Sequence, residues 1–410
     1  MEGLFALGSN GSGQLGIGHK EDVSVPKPVL FDEHHNHPLP GAANGNGSDD
    51  DDIVKIAAGG NHTILVTKRG KAYWSGDPST GACGIVVASA AVASTPPVFR
   101  EVVLPKAGAE AETETETEPL PGPVADVACT WDSSVFALRD AEGKATKVYS
   151  CGGGGGGSGR AKEPIPSPLI EEIAGFPPPG SEIRHLAAGF RHVVAVLDNG
   201  DVYGWGHGRK GQLGVGTDTN PNPSDRGIVP RPTKIEGVGF PVARAVCCQH
   251  ATCLIAEPGD GRVVVLGADK WGLRSAAPAA VPNWKAVAAG WGAVYVLRYD
   301  GVLEAWGRDD HGQLPPPGVP RIASVAAGSE HVVALTADTG EVISWGWGEH
   351  GNCGPQQTGG EGETSGVGDV KGRWNTIASL RNLPEGSDIT LIGAGCATSW
   401  IQIAADGIFL

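Results

Sequence analysis

The chain has 410 residues, a formal charge of −15 and 64 glycines. That length suits two or three ordinary domains or one large repetitive one, and the acidic balance disfavours broad contact with a phosphate backbone. The glycines follow no every-third-residue rule, which excludes collagen, and no apolar run approaches a membrane span.

The opening, "MEGLFALGSN", lacks a basic-then-apolar leader. "FALG" is the first of seven short aromatic or apolar runs that close on glycine: "FALG", "YWSG", "YSCG", "YGWG", "VVLG", "EAWG" and "ISWG", ending at Gly8, Gly76, Gly152, Gly206, Gly267, Gly307 and Gly346. A second half-unit also occurs seven times. It begins with "IVKIAAGGNHTILVTKRG" and continues through "VADVACTWDSSVFALRDAEG", "IRHLAAGFRHVVAVLDNG" and "VARAVCCQHATCLIAEPGDG". "WKAVAAGWGAVYVLRYDG", "IASVAAGSEHVVALTADTG" and "ITLIGAGCATSWIQIAADG" complete the set.

Each unit predicts short strands. The alternation of Val193, Ala195 and Leu197 suits a ribbon with one buried face, and Asp198–Gly200 supplies a hairpin turn. Amphipathic helices do not recur, so an all-β ring of blades is expected: a seven-bladed β-propeller that occupies residues 1–410 as one domain. The chain opens with a second half-unit and ends with a first one. Its two ends should therefore share a blade and close the ring.

Between the glycine markers the spacings are 68, 76, 54, 61, 40 and 39 residues, against about 40 to 50 for a blade. The early units thus carry insertions, placed at residues 34–52, 106–123, 152–160 and 354–372. Alternating Glu and Thr in "AETETETE" and the glycine run after Cys151 have no apolar partners, so mobile loops are expected.

Gly206-x-Gly208-x-x-Gly211 has the spacing of a dinucleotide fingerprint, and so do Gly11-x-Gly13-x-x-Gly16 and Gly346-x-Gly348-x-x-Gly351. A dinucleotide site needs a helix to follow, its N-terminal amides facing pyrophosphate. "GQLGVGTDTNPNPSD" follows instead, rich in breakers. These are turn glycines, and no cofactor is expected.

His62, His192 and His331 share one repeat slot, filled elsewhere by Ser133, Thr252, Ala293 and Thr398. Recurrence around a ring points to a structural hydrogen bond, not to a metal. His34, His35 and His37 form a short tract without a partner pair, and Cys247, Cys248 and Cys253 lack paired Cys-x-x-Cys spacing. Eight scattered cysteines without a secreted framework suggest a reducing compartment, cytosol with or without nucleus. No nucleophile elbow, HExxH helix or Walker sequence occurs, so no catalytic residue is assigned.

The informative variation follows each "AAG". The pairs Gly60-Asn61, Trp131-Asp132, Phe190-Arg191, His250-Ala251, Trp291-Gly292, Ser329-Glu330 and Cys396-Ala397 share a register and should ring one face. Aromatics beside an arginine are what binding hot spots use. The candidate partner-binding residues are therefore Trp131, Phe190, Arg191, His250, Trp291 and Glu330. His19, Glu21 and Asp22 mark an alternative surface, expected on the opposite face. Trp205, Trp306 and Trp345 occupy a strand position and should be core.

Ala187, Ala188, Gly189, His192, Trp205, Gly206, Gly208, Gly211, Gln212, Leu213 and Gly214 spell a unit that resembles the repeat of the regulator of chromosome condensation family, a seven-bladed propeller. The units at Cys129, Cys247 and Gly393 depart from it. Within that family, "FALGSNGSGQLGIGHKEDVSVPKPV" looks like the opening of the small fungal killer-toxin-insensitivity member. This resemblance implies a noncatalytic scaffold that forms a heterodimer with a small zinc-binding electron carrier of diphthamide synthesis. It also implies an indirect association with Elongator-dependent tRNA wobble-uridine modification, without direct nucleic-acid or membrane binding. The family equally includes guanine nucleotide exchange factors for Ran-like GTPases, the alternative expectation.

Overall fold

The computed structural model describes residues 3–32, 52–84, 95–105, 117–153, 170–214, 227–355 and 368–405. It is an all-β, seven-bladed propeller, and no α-helix occurs among the described residues. Blade 1 pairs strands from both ends of the chain, in the order Val23–Pro28, Gly3–Gly8, Thr398–Ala405, Ser387–Ala394. Six residue pairs, from Gly3 opposite Ile403 to Gly8 opposite Thr398, zip the two ends together. The inner strands of the other blades are Ile53–Ala58, Val124–Cys129, Ile183–Ala188, Arg244–Cys247, Trp284–Ala289 and Ile322–Ala327 for blades 2 to 7. Each touches the next, and Ser387–Ala394 returns to Ile53–Ala58. The ring is closed, as the split end units require.

Blades 5 and 6 have three strands, not four. The 40- and 39-residue spacings after Gly267 and Gly307 leave too little chain for an outer strand there. The expected insertions also contain ordered backbone. Thr117–Pro119 pairs with Val103–Pro105, and Val370–Ser379 is the outer strand of blade 7. The histidine tract 34–37, the Glu/Thr run 106–116 and the rest of the glycine run, 154–160, lie outside the described residues.

The second strand of each blade is buried on both faces, which corrects the expectation of one. In His192–Leu197, Val193, Ala195 and Leu197 pack toward blade 3, while Val194 and Val196 pack toward blade 5. The core is accordingly seven apolar seams, one between each pair of neighbouring blades. Trp205, Trp306 and Trp345 lie in these seams, all buried. The marker glycines close the third strands with φ between +84° and +127°. A Cβ at Gly206 or its equivalents would be strained, and at Gly76 or Gly267 it would also strike the carbonyl of Asn61 or His250. All eight cysteines are free.

Candidate functional site

The loops after "AAG" surround one mouth of the axial channel, and backbone hydrogen bonds stitch them from blade to blade. Gly60 N donates to Trp131 O and Trp131 N to Phe190 O, both at 2.9 Å. Gln249 N donates to Trp291 O at 2.9 Å, Trp291 N to Ser329 O at 2.7 Å, and Ser329 N to Gly395 O at 2.9 Å. This rim fixes the register. In blade 5 the residue equivalent to Trp131 is Gln249, not His250, because Cys248 N bonds Ala251 O just as Gly189 N bonds His192 O. His250 thus stands at the Arg191 position. The histidine slot in blade 5 is Ala251, one residue before Thr252, since Ala251 faces Gly267 as His192 faces Gly206.

Three candidate aromatics meet over the channel although they come from blades 3, 4 and 6. Trp131 and Phe190 have centroids 5.2 Å apart, Phe190 and Trp291 5.7 Å, and Trp131 and Trp291 5.9 Å. All three are half-buried. Trp131 lies against Gly60, where a Cβ would press into the indole. Beneath them is a cavity of about 140 Å³ lined by backbone of "AAG" segments and by Cys129, Cys247 and Cys396. Burial raises all three thiol pKa values, Cys129 and Cys247 to about 12. They are poor nucleophiles.

Arg191 lies over the Phe190 ring at 5.6 Å, with Asp132 at 3.9 Å. Glu330 accepts from Arg308 and, at 2.8 Å, from Gln313 Nε2. Arg308 in turn lies 4.8 Å from the Trp271 ring centre. Trp271 was not singled out from the sequence. It holds φ +60°, ψ +21°, a left-handed conformation that costs a non-glycine residue about 1–2 kcal/mol. Its signal was faint: a lone tryptophan in a unit whose glycine turn departs from the repeat.

His19, Glu21 and Asp22 belong to this same face, which overturns their expected placement opposite. Ser9 N bonds Ala397 O at 2.8 Å, Asn10 Nδ2 donates to His19 O, and Asp22 pairs with His350 of blade 7 at 2.6 Å. Each third strand ends beside the loop after "AAG", so the turn that follows must share its face.

The three repeat histidines are braces between blades. His62 Nε2 lies 2.9 Å from Ser134 Oγ, His192 Nε2 3.0 Å from Thr252 Oγ1, and His331 Nε2 2.9 Å from Ser399 Oγ. Burial lowers their pKa values to about 4, 3 and 4. Among the described residues no group of three potential ligands is placed to hold a metal.

Residues 3–399 match the RCC1-like domain. The chain belongs to that family. It is 29% identical to an RCC1 repeat-containing protein of Schizosaccharomyces pombe, over 98% of each chain. It is 25% identical to the mouse secretion-regulating guanine nucleotide exchange factor, over 97% of this chain and 82% of that one. Among solved structures, Prp20p of Saccharomyces cerevisiae superposes with a TM-score of 0.71 at 19% identity, covering 99% of this chain and 92% of its own. Human WBSCR16 does so with 0.69 at 18%, covering 98% and 100%. At those identities the RCC1-like propellers share the fold alone.

Proposed function

We propose that this RCC1-like propeller is a noncatalytic protein-binding scaffold whose partner seats on the face carrying Trp131, Phe190 and Trp291. One observation carries this reading: three large rings from three blades converge, half-exposed, on a hydrogen-bonded rim with Arg191 beside them. Rigid aromatics flanked by charge are the makings of a hot spot. The thiols at the site, Cys129, Cys247 and Cys396, are raised and make poor nucleophiles.

The partner that fits the opening segment's resemblance is a small zinc-binding electron carrier. The heterodimer would serve diphthamide synthesis and, through Elongator, tRNA wobble-uridine modification, in the cytosol with or without the nucleus. The zinc would come from the partner, and nucleic acid would not be contacted directly. Co-expression with such a carrier should give a 1:1 complex by size-exclusion chromatography with light scattering. Separate elution at tens of micromolar would sink the assignment.

The likeness to the mouse exchange factor supports a second reading, acceleration of GDP release from a Ran-like GTPase. A fluorescent-GDP release assay decides it. Stimulation that Trp131→Ala abolishes would favour exchange over the carrier.

A further inference from the structure

The face is electrically lopsided. The chain is acidic, at −15, yet in the described turns of blades 4 and 5 the exposed charges are Arg209, Lys210, Lys270 and Arg274 against Asp269 alone, with half-buried Arg191 and His250 between them, whereas blade 6 exposes Asp309 and Asp310. The turn Gly208–Gly214 of blade 4 packs on Gly267 of blade 5, which carries Lys210 toward His250. Burial and the nearby Lys210 and Lys270 ammonium groups lower the His250 pKa. Lys270 Nζ sits 3.9 Å from the centre of Trp271, whose ring edge faces Gly292, the residue after Trp291. The patch therefore runs without a break from the cations to the aromatic cluster.

Those cations are short of counter-charges. Asp269 is the neighbouring carboxylate, and its Oδ1 is engaged by the backbone N–H groups of Arg274 and Ser275, both at 2.8 Å. Among the described residues Arg209, Lys210 and Lys270 have no carboxylate within ion-pairing distance, and Arg191 reaches Asp132 only at 3.9 Å. Its Nε is buried without a hydrogen-bond partner. Elsewhere on the face the carboxylates are spent or distant: Glu330 on Arg308, Asp22 on His350, Asp310 on Arg308. A cluster of cations with few counter-charges repels itself and is relieved by an acidic ligand.

We propose that this sector docks an acidic polypeptide segment with an apolar anchor. Its carboxylates meet Arg191, Arg209, Lys210 and Lys270, and the anchor rests against Phe190 and Trp291. The inference rests on the scaffold reading and names the partner's chemistry. Nucleic acid fits less well, because the rings lie tilted against one another at 44° to 88° and leave no parallel face for a base.

The test uses the full chain and a fluorescein-labelled twelve-residue peptide of aspartate and glutamate with two central leucines. Its asparagine/glutamine counterpart and a thymidine 12-mer are the controls. Anisotropy should show the acidic peptide binding at least tenfold tighter than both. Lys210→Glu with Lys270→Glu should weaken it about tenfold, and raising salt from 50 to 300 mM should weaken it similarly. Reversal of Lys147, on blade 3, should change nothing. Equal binding of acidic and amide peptides, tighter oligonucleotide binding, or indifference to the double reversal overturns the proposal. So does self-association of the protein that the reversal abolishes, which would make a second copy the occupant.

The two readings fail separately. A carrier complex lost in Trp291→Ala but untouched by the double reversal keeps the scaffold reading and removes the acidic sector. Tight acidic-peptide binding without a carrier complex does the reverse.

Discussion

His192 Nε2 and Thr252 Oγ1 lie 3.0 Å apart across the seam between blades 4 and 5. The same pairing joins His62 to Ser134 and His331 to Ser399. In every case the hydroxyl sits one residue past the histidine slot of the next blade. Of the four blades that lack the histidine, those with Ser133, Ala251 and Ala293 are followed by Val193, Val294 and Val332 at that point, and the one with Thr398 by Thr63. The histidine also fixes its neighbour, because a Cβ at Gly59, Gly189 or Gly328 would lie on its Cε1. Histidine, glycine and hydroxyl thus form one unit spread over two blades.

Thr252→Val should therefore destabilise the fold by about 1–3 kcal/mol, the cost of a buried polar group left unpaired. His192→Ala should cost at least as much, and the double variant should cost clearly less than the sum. Urea melts of the four proteins measure the coupling. Strict additivity would remove the brace.

The sequence carried the ring, its closure and its phase, because each is a repeated pattern. What it hid was position where the pattern breaks. "VCCQHATC" offers two cysteines for "AAG", and matching its histidine to the wrong one shifted blade 5 by a residue. The hydrogen bond from Cys248 N to Ala251 O and the pairing of Ala251 with Gly267 settle that register. The common register placed Trp131, Phe190 and Trp291 on one face. Their mutual contact depends on side-chain reach across the channel, which no repeat encodes. Lys210 was missed because it fills a variable position of the repeated glycine turn, and Lys270 and Trp271 because their turn departs from that motif.

The buried histidines set a pH response. Their pKa values are lowered, so the unfolded chain binds the protons that the folded chain refuses. Stability is fully present above about pH 6.5 and falls as the pH drops toward 4, by about 1.4 kcal/mol per pH unit for each histidine. Urea midpoints at pH 7, 6 and 5 should decline accordingly, and His192→Gln should flatten part of the slope. Equal midpoints at pH 7 and pH 5 would contradict neutral, buried imidazoles.

Asp126 ties three inner strands. It accepts from Lys55 Nζ of blade 2 at 2.6 Å and from Leu186 N of blade 4 at 2.7 Å, and His185 Nδ1 lies at 3.2 Å. Burial alone would raise its pKa. The Lys55 ammonium and the His185 side chain outweigh burial and hold it below the usual carboxylate range. Asp126→Asn should cost about 1.5–3 kcal/mol, and Lys55→Met in that background should restore part of it, because the stranded ammonium is removed. Loss confined to acid conditions would show that the charge is idle at neutral pH.

The aromatic cluster separates binding from folding. Trp131, Phe190 and Trp291 are half-buried against one another, whereas the rim beneath is held by backbone hydrogen bonds that truncating a side chain leaves intact. Trp131→Ala or Trp291→Ala should weaken the partner by about tenfold or more while the melt stays close to the parent's. Gly60→Ala provides a sharper probe. Its new methyl group would press on the Trp131 indole and tilt it without removing any partner-facing atom. Partner titration and melting of each variant give the comparison. If the tryptophan variants melt early and their folded fraction binds normally, the rings serve the ring of blades alone. If Gly60→Ala reproduces the binding loss of Trp131→Ala with an unchanged melt, orientation of the indole is what the partner reads.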